Sequence, residues 1–259
     1  MQTVTKVKYR GVVSQRMEVL ETPEIDHDDR EDIYEYVERN GATRPETVRR
    51  ALGMERRAFG HHVAILKRDS VIEDVEGKLR VAFDAGEEQE YSRDEISFTI
   101  RQAREEDLTG LVGAIRQAIG GGEYVKAETD ADVVDSEGVL IRHNEIESRM
   151  FFVACIEGEV VGWVHIKHTD LKKLSHTAEL TLGVLEEYRG HEIGTELLER
   201  GVEWAAEQGL EKLYNAIPSS NEQAIEFLEA RDFETEAVRE DHYKLNGSYV
   251  DEVMMAREL

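Results

Sequence analysis

The chain of 259 residues has one cysteine, three prolines and two tryptophans, and aromatic residues make up only 7% of it. The single cysteine, Cys155, excludes an intramolecular disulfide framework and a cysteine-rich zinc site. No apolar run approaches the roughly 18 residues of a membrane-spanning helix. The opening MQTVTKVKYRGVV has neither an apolar core nor a small-residue cleavage site, so no signal peptide is expected. Lysine is scarce as well, with 10 Lys against 22 Arg. What is abundant is acid: 56 Asp and Glu oppose 32 basic side chains, a formal charge of −24. Hydrophobic residues reach 40%, enough to build a core and to exclude a wholly disordered chain. The expectation is a soluble, cytoplasmic protein with no membrane contact.

The acidity runs along the whole chain and forms no terminal tail. A dispersed acidic excess with little lysine keeps a protein hydrated and monodisperse in concentrated salt. A halophilic, haloarchaeal host is therefore expected. Against this background residues 39–68 reverse the sign, with eight basic side chains and only Glu46 and Glu55 opposing them.

Residues 3–20 alternate weakly and read as a strand, broken by Pro23. Ile33, Tyr34, Tyr36 and Val37 fall at helical spacing between Asp28 and Arg39, and Asn40-Gly41 ends that helix. Thr43, with Glu46 three residues on, has the form of a capping box for a second helix that carries Pro45 in its first turn. A third helix spans about Glu55 to Asp69, and a hairpin follows around Glu76-Gly77. This order resembles the winged helix-turn-helix family. The resemblance implies that the third helix could enter a DNA major groove with Arg56, Arg57, His61, Lys67 and Arg68. Dimerisation, or docking against a partner domain, is the other role it implies. Residues 1–86 are assigned to this domain, and the acidic, polar segment 87–96 to a linker.

From 97 to 259 the pattern is strand, helix, a less readable stretch at 123–147, a hairpin around Glu157-Gly158, a strand at 178–185, an amphipathic helix, a strand, a helix and a closing hairpin. At its centre lies LGVLEEYRGHEIGTELLERGVEWA, a strand followed by Arg189-Gly190-His191-Glu192-Ile193-Gly194 and a helix. This segment resembles the GNAT superfamily of N-acetyltransferases. The fold it implies is α+β, a mixed, mostly antiparallel sheet flanked by helices. The implied reaction is acetyl transfer from acetyl-CoA to a primary amine: a protein lysine, a protein N-terminus or a small amine.

A tight loop opening a helix aims unpaired N–H groups at one point, which suits a pyrophosphate. By the resemblance Arg189, Gly190, His191, Ile193, Gly194 and Thr195 line that loop. Leu182 and Val184 would present backbone N–H groups to the thioester carbonyl. The family's first motif glycine is replaced by Glu192, which a helical backbone would tolerate. Glu179, in Ala178-Glu179-Leu180, stands where histone-type members carry a general base. Its other reading is a structural residue bonded across strands. Asn221 would bind the pantetheine arm or cap its helix. The family's tyrosine, which protonates the departing thiolate, is Leu228 here, and its glycine is Asp232. Tyr243 is the substitute acid, unless the thiolate leaves unaided or activity is lost. An alternative reading of the whole chain is a DNA-binding regulator whose GNAT domain senses acyl-CoA. His165 and His168, three apart on a strand, point to opposite faces and make no metal site. Cys155, Trp163 and Trp204 read as core residues.

Overall fold

The computed structural model describes residues 25–75, 77–82, 88–93, 96–119, 125–144, 147–169, 171 and 173–259. The weak strand at 3–20, Pro23, Glu76 and the glycine stop at 120–122 lie outside the described residues.

The N-terminal part holds three helices, α1 (Asp28–Asn40), α2 (Pro45–Ala51) and α3 (Arg56–Arg68), and a hairpin of β1 (Ile72–Val75) and β2 (Lys78–Val81). Ile33, Val37, Val48, Phe59, Leu66 and Leu79 form its own buried core. The expected capping box at Thr43 does not form. Arg44 is the residue before α2, and it makes no side-chain cap. Thr43 is instead drawn into an antiparallel bridge with Leu79, bonded through both its N–H and its C=O. Glu46 turns to Arg49, at 2.8 Å, and to Arg50.

The segment expected as a linker is partly a strand. Residues Gln89–Arg93 form β3, which pairs antiparallel with β4 (Ile96–Gln102). Its acidic surface conceals a half-buried alternation, and Tyr91 stacks on Phe98 with ring centroids 5.1 Å apart.

The rest of the chain adds α4 (Leu108–Ala118), α5 (Val125–Glu137), β5 (Arg142–His143), β6 (Glu147–Ile156), β7 (Glu159–Thr169) and β8 (Thr177–Val184). Then come α6 (Ile193–Glu207), β9 (Lys212–Pro218), α7 (Glu222–Glu229), β10 (Glu234–Leu245) and β11 (Ser248–Glu258). One nine-stranded sheet runs β10-β11-β9-β8-β7-β6-β4-β3, with β5 paired to β6 off that path. Every pairing in it is antiparallel except β8 with β9. Strand alternation sends side chains to two cores. Val164, Ile166 and Leu180 meet α6 and α7 on one face, while Phe151, Val153 and Trp163 meet α4 and α5 on the other. In α6, Leu197, Leu198, Val202 and Ala205 form the inward stripe. Gly201 brings the helix close, since a Cβ there would lie 3.0 Å from Val164.

The parallel β8/β9 pairing covers only Thr177–Glu179 against Lys212–Tyr214. Beyond it the two strands part, and a cleft opens there. The N-terminal part packs beside this domain through α1: Tyr34 donates to the His143 carbonyl at 2.6 Å, and Asn144 donates to Glu38 at 3.0 Å. Cys155, Trp163 and Trp204 are buried, as the sequence suggests.

Candidate active site

The cleft has a volume of about 370 Å³ and lies between the C-terminal half of β8, the start of α6, β9 and α7. Leu182, Val184, Arg189, Gly190, Ile193, Gly194, Thr195 and Asn221 all line it; His191, Glu179 and Tyr243 do not. The direction of the β8 backbone follows from its neighbour. Leu185 donates its N–H to Val161 of β7 at 2.9 Å. Backbone groups alternate sides along a strand, so the N–H groups of Leu182 and Val184 point away from β7 and into the gap.

The loop from Arg189 to Glu192 is compact because two residues take left-handed backbone. Gly190 has φ +84°, which its missing side chain allows. Glu192 has φ +62° and ψ +2°, so the helical backbone expected there is not what forms. For a residue with a Cβ this costs roughly 1–2 kcal/mol. The turn gives α6 its start: Glu192 O accepts from the N–H groups of Thr195 and Glu196 at 2.9 and 3.0 Å. The N–H groups of Gly190, Glu192, Ile193 and Gly194 have no acceptor among the described residues. They are open donors at the positive end of a 15-residue helix, an arrangement that favours an anion. The Glu192 carboxylate does not cover them. It is turned outward and held by Arg93 at 2.6 Å. Arg189 Nε donates to the Val184 carbonyl at 3.1 Å, tying the loop to the mouth of the gap.

Arg231, which sequence reasoning missed, also lines the cleft. It donates to Thr195 Oγ1 at 2.6 Å and to the Phe227 carbonyl at 2.8 Å, and its guanidinium lies 3.8 Å from the Phe227 ring centre. No local motif marks it. Asn221 is buried, and its Oδ1 caps α7 by accepting from Ala224 N–H at 3.1 Å. Leu228, in the family's tyrosine position, is buried and lines the cleft. Tyr243 is buried elsewhere on β10, where it donates to Glu252 at 2.5 Å. Burial, followed by that bond to Glu252, pushes its phenol well above the usual range. Among the described residues, the tyrosine that lines the cleft is Tyr188.

At the other end of the cleft, Glu179 is 63% exposed and sits at the rim, 3.9 Å from the ammonium of Lys126. Lys126 lines the cleft from α5. Next to them lies a group that the sequence did not announce. Asp130 Oδ2 is 2.9 Å from His165 Nδ1 and accepts from Thr181 Oγ1 at 3.3 Å. His165 stacks on Phe151 with centroids 4.2 Å apart. Burial raises the Asp130 carboxyl, but His165 and the two hydrogen bonds outweigh it, and the group lies below its ordinary value. Its members come from α5, β7 and β8, so no linear motif could reveal it.

Away from the cleft, the N-terminal helices bring His27, Asp29 and His62 together, with one ligand-type atom of each within 4.8 Å of the others. His27 Nδ1 accepts from the Asp29 N–H at the start of α1, and His62 Nε2 lies 3.3 Å from Asp29. These contacts fasten α3 to the start of α1. The basic side chains of α3 are partly neutralised locally: Arg68 pairs with Asp69 at 2.6 Å, Lys67 with Asp74 at 3.5 Å, and Arg56 approaches Glu46 at 4.0 Å.

Comparison with known proteins agrees with this architecture. The profile of the Acetyltransferase (GNAT) family matches residues 114–233. An L-methionine sulfoximine/L-methionine sulfone acetyltransferase of Pseudomonas aeruginosa is 26% identical over 131 residues, covering 50% of this chain and 76% of that protein. A GCN5-related N-acetyltransferase structure from Kribbella flavida superposes with a TM-score of 0.54 at 20% identity, covering 62% of this chain and 98% of that one. A Salmonella typhimurium protein solved with its cofactor acetyl-CoA gives a TM-score of 0.52 at 18% identity, over 62% of this chain and 94% of its own. The parted strands, the open helix N-terminus and these matches converge, and the C-terminal part of the chain is a GNAT acetyltransferase domain, an acyl-CoA-dependent acetyltransferase whose donor is acetyl-CoA.

Proposed function

We propose that this domain acetylates a primary amine by direct attack on acetyl-CoA in a ternary complex. The observation that supports it most is the continuity of one cleft from the unsatisfied N–H groups at the start of α6 to the gap where β8 leaves β9. The loop Arg189–Thr195 would hold the pyrophosphate through the open N–H groups of Gly190, Glu192, Ile193 and Gly194 and through the helix dipole. The N–H groups of Leu182 and Val184 would polarise the thioester carbonyl and stabilise the oxyanion as the amine adds. Asn221 keeps α7 in place against the cleft by capping it. Glu179 at the rim would take a proton from the acceptor's ammonium, directly or through water, so that the neutral amine can attack. With Leu228 in the tyrosine position and the Tyr243 proton engaged by Glu252, the thiolate leaves without help from Tyr243.

The rim also suggests the acceptor. Lys126 and Glu179 offer one cation and one anion side by side. That pairing suits a small α-amino acid, with its ammonium toward Glu179 and its carboxylate toward Lys126. The relative named for L-methionine sulfoximine and L-methionine sulfone acts on molecules of this class. The test is calorimetric titration with acetyl-CoA in molar KCl, followed by thiol release with a panel of amino acids, peptides and polyamines. Binding with release on amino-acid acceptors is the expected result. Binding without release on any amine would replace transfer by acyl-CoA sensing, and no binding would remove the phosphate-loop assignment. The dispersed charge of −24 supports the choice of molar salt, and full stability in dilute buffer would overturn a halophilic setting.

A second reading concerns the N-terminal part. The Thr43–Leu79 bridge sets a third strand segment against the β1/β2 hairpin behind α3, which supports a winged helix. DNA binding would use Arg56, Arg57, Lys67 and Arg68. The local acidic partners of three of them weaken that role, and the contacts of Tyr34 and Glu38 favour docking on the enzyme domain instead. Salt-dependent anisotropy with duplex DNA separates the two: affinity falling steeply with salt marks phosphate contacts.

A further inference from the structure

The phosphate loop of this chain carries a carboxylate where the bound anion needs only donors. Glu192 is the residue before the first turn of α6, and its backbone is left-handed. A glutamate before a helix can fold back and accept from its first N–H groups, as Glu55 does from Arg57 N–H at the start of α3. Here that bond would cover the donors on which the pyrophosphate depends. It does not form: the Glu192 side chain makes no cap. Glu196, one turn further along α6, adds a second negative charge to the same region.

Both carboxylates are held by one guanidinium. Arg93 Nε donates to Glu192 Oε2 at 2.6 Å, and Arg93 Nη2 donates to Glu196 Oε1 at 2.6 Å. The two bonds point the guanidinium fork in two directions at once, so the Glu192 side chain is directed outward, 63% exposed, while its backbone stays in the loop. The guanidinium is a permanent cation, and these bonds raise its pKa further. Arg93 comes from β3, the edge strand inside the segment that composition marks as a linker. It lies 99 residues from Glu192 in sequence.

We propose that Arg93 is a positioning residue for acetyl-CoA: it keeps Glu192 from capping α6 and so keeps the pyrophosphate site open. The residue touches neither substrate. It acts through Glu192, and β3 thereby becomes part of the binding apparatus of the enzyme domain. This inference rests on the reading that the start of α6 holds the pyrophosphate. Removing Arg93 releases a tethered carboxylate at a very high local concentration beside the anion site, where it competes with the ligand and repels it. Removing Glu192 as well removes the competitor, so the defect disappears.

The experiment is a double-mutant cycle on the full chain, with acetyl-CoA Kd measured calorimetrically in molar KCl for wild type, Arg93→Ala, Glu192→Gly and the double variant. Arg93→Ala is expected to weaken acetyl-CoA at least tenfold, and Glu192→Gly, which removes the negative charge beside the loop, to bind more tightly than wild type. The double variant is expected to return to within threefold of Glu192→Gly. Arg93→Lys, which keeps a cation but loses the fork, falls between wild type and Arg93→Ala and serves if the alanine variant folds poorly. A merely structural Arg93 would give the same loss with or without Glu192, and that result overturns the proposal. Unchanged affinity in Arg93→Ala overturns it equally. Failure of the wild type to bind acetyl-CoA would instead overturn the pyrophosphate reading itself, and this inference with it.

Discussion

The two ends of the cleft are built on different principles. The proposed donor end, from Leu182 through Thr195, is built from backbone: open N–H groups, a left-handed turn and the start of a helix. The proposed acceptor end is built from side chains that meet from separate elements, Lys126 and Asp130 from α5, His165 from β7, Glu179 and Thr181 from β8. Backbone sites depend on how closely elements approach, and side-chain sites on which groups are present. Substitutions at the two ends should therefore fail in different ways.

The largest effect is expected where a side chain is added at the donor end. Gly183 lies between the two proposed oxyanion donors, and a Cβ there would fall 2.4 Å from Trp163 Cη2. Trp163 is fully buried and has no free space to take up. Gly183→Ala should destabilise the fold by about 3 kcal/mol through overpacking. It should also displace β8, so that acetyl-CoA binding and turnover fall together. Chemical denaturation in molar KCl measures the first effect and calorimetry the second. Pairing Gly183→Ala with Trp163→Leu should recover most of the loss. A Gly183→Ala protein as stable as wild type would break the claim that this end is governed by backbone approach.

Glu179→Gln tests the opposite end. The side chain is exposed and supports no packing, so folding should be unchanged. Turnover should drop at least tenfold, about 1.4 kcal/mol on the barrier, with the acetyl-CoA Kd unaltered. An unchanged rate removes Glu179 as base and leaves it a rim residue. Lys126→Ala adds a finer distinction: KM for an amino-acid acceptor should rise while KM for a polyamine does not.

What the sequence disclosed follows the same division. The strand, the Arg189–Gly194 loop and α6 are contiguous, so their order can be read in a line, and all of that loop except His191 lines the cleft. Glu192 shows the limit even there. Its backbone is left-handed, and the cation that makes this workable comes from β3, hidden within a stretch whose acidic composition looks like a connector. Edge strands need only a weak alternation, and charge on the outer face masks it. Asp130 and Thr181 are 51 residues apart, and only packing of α5 against the sheet brings them together. Tyr243 illustrates the reverse case. A tyrosine near the C-terminus is easy to nominate, yet register in β10 and β11 places its hydroxyl on Glu252 and outside the cleft lining.

Asp130→Asn carries the smallest effect and the clearest sign. The carboxyl of Asp130 lies below its unfolded value, because His165 and two hydrogen bonds outweigh its burial. A depressed folded pKa means that the native state binds the proton less readily than the unfolded chain does. The resulting stability is fully present above the unfolded aspartate value of about 3.9. It is lost as pH falls through the lower folded value. The amide retains a hydrogen-bond acceptor but no charge, so the variant should be about 1 kcal/mol less stable at neutral pH. That difference should begin to shrink once pH falls below the unfolded value of about 3.9, and should vanish only below the lower folded value. Urea denaturation of both proteins across this range, at constant KCl, measures the gap. A gap that stays constant with pH would mean that the charge of Asp130 contributes nothing, and that the acceptor end, like the donor end, is held by shape alone.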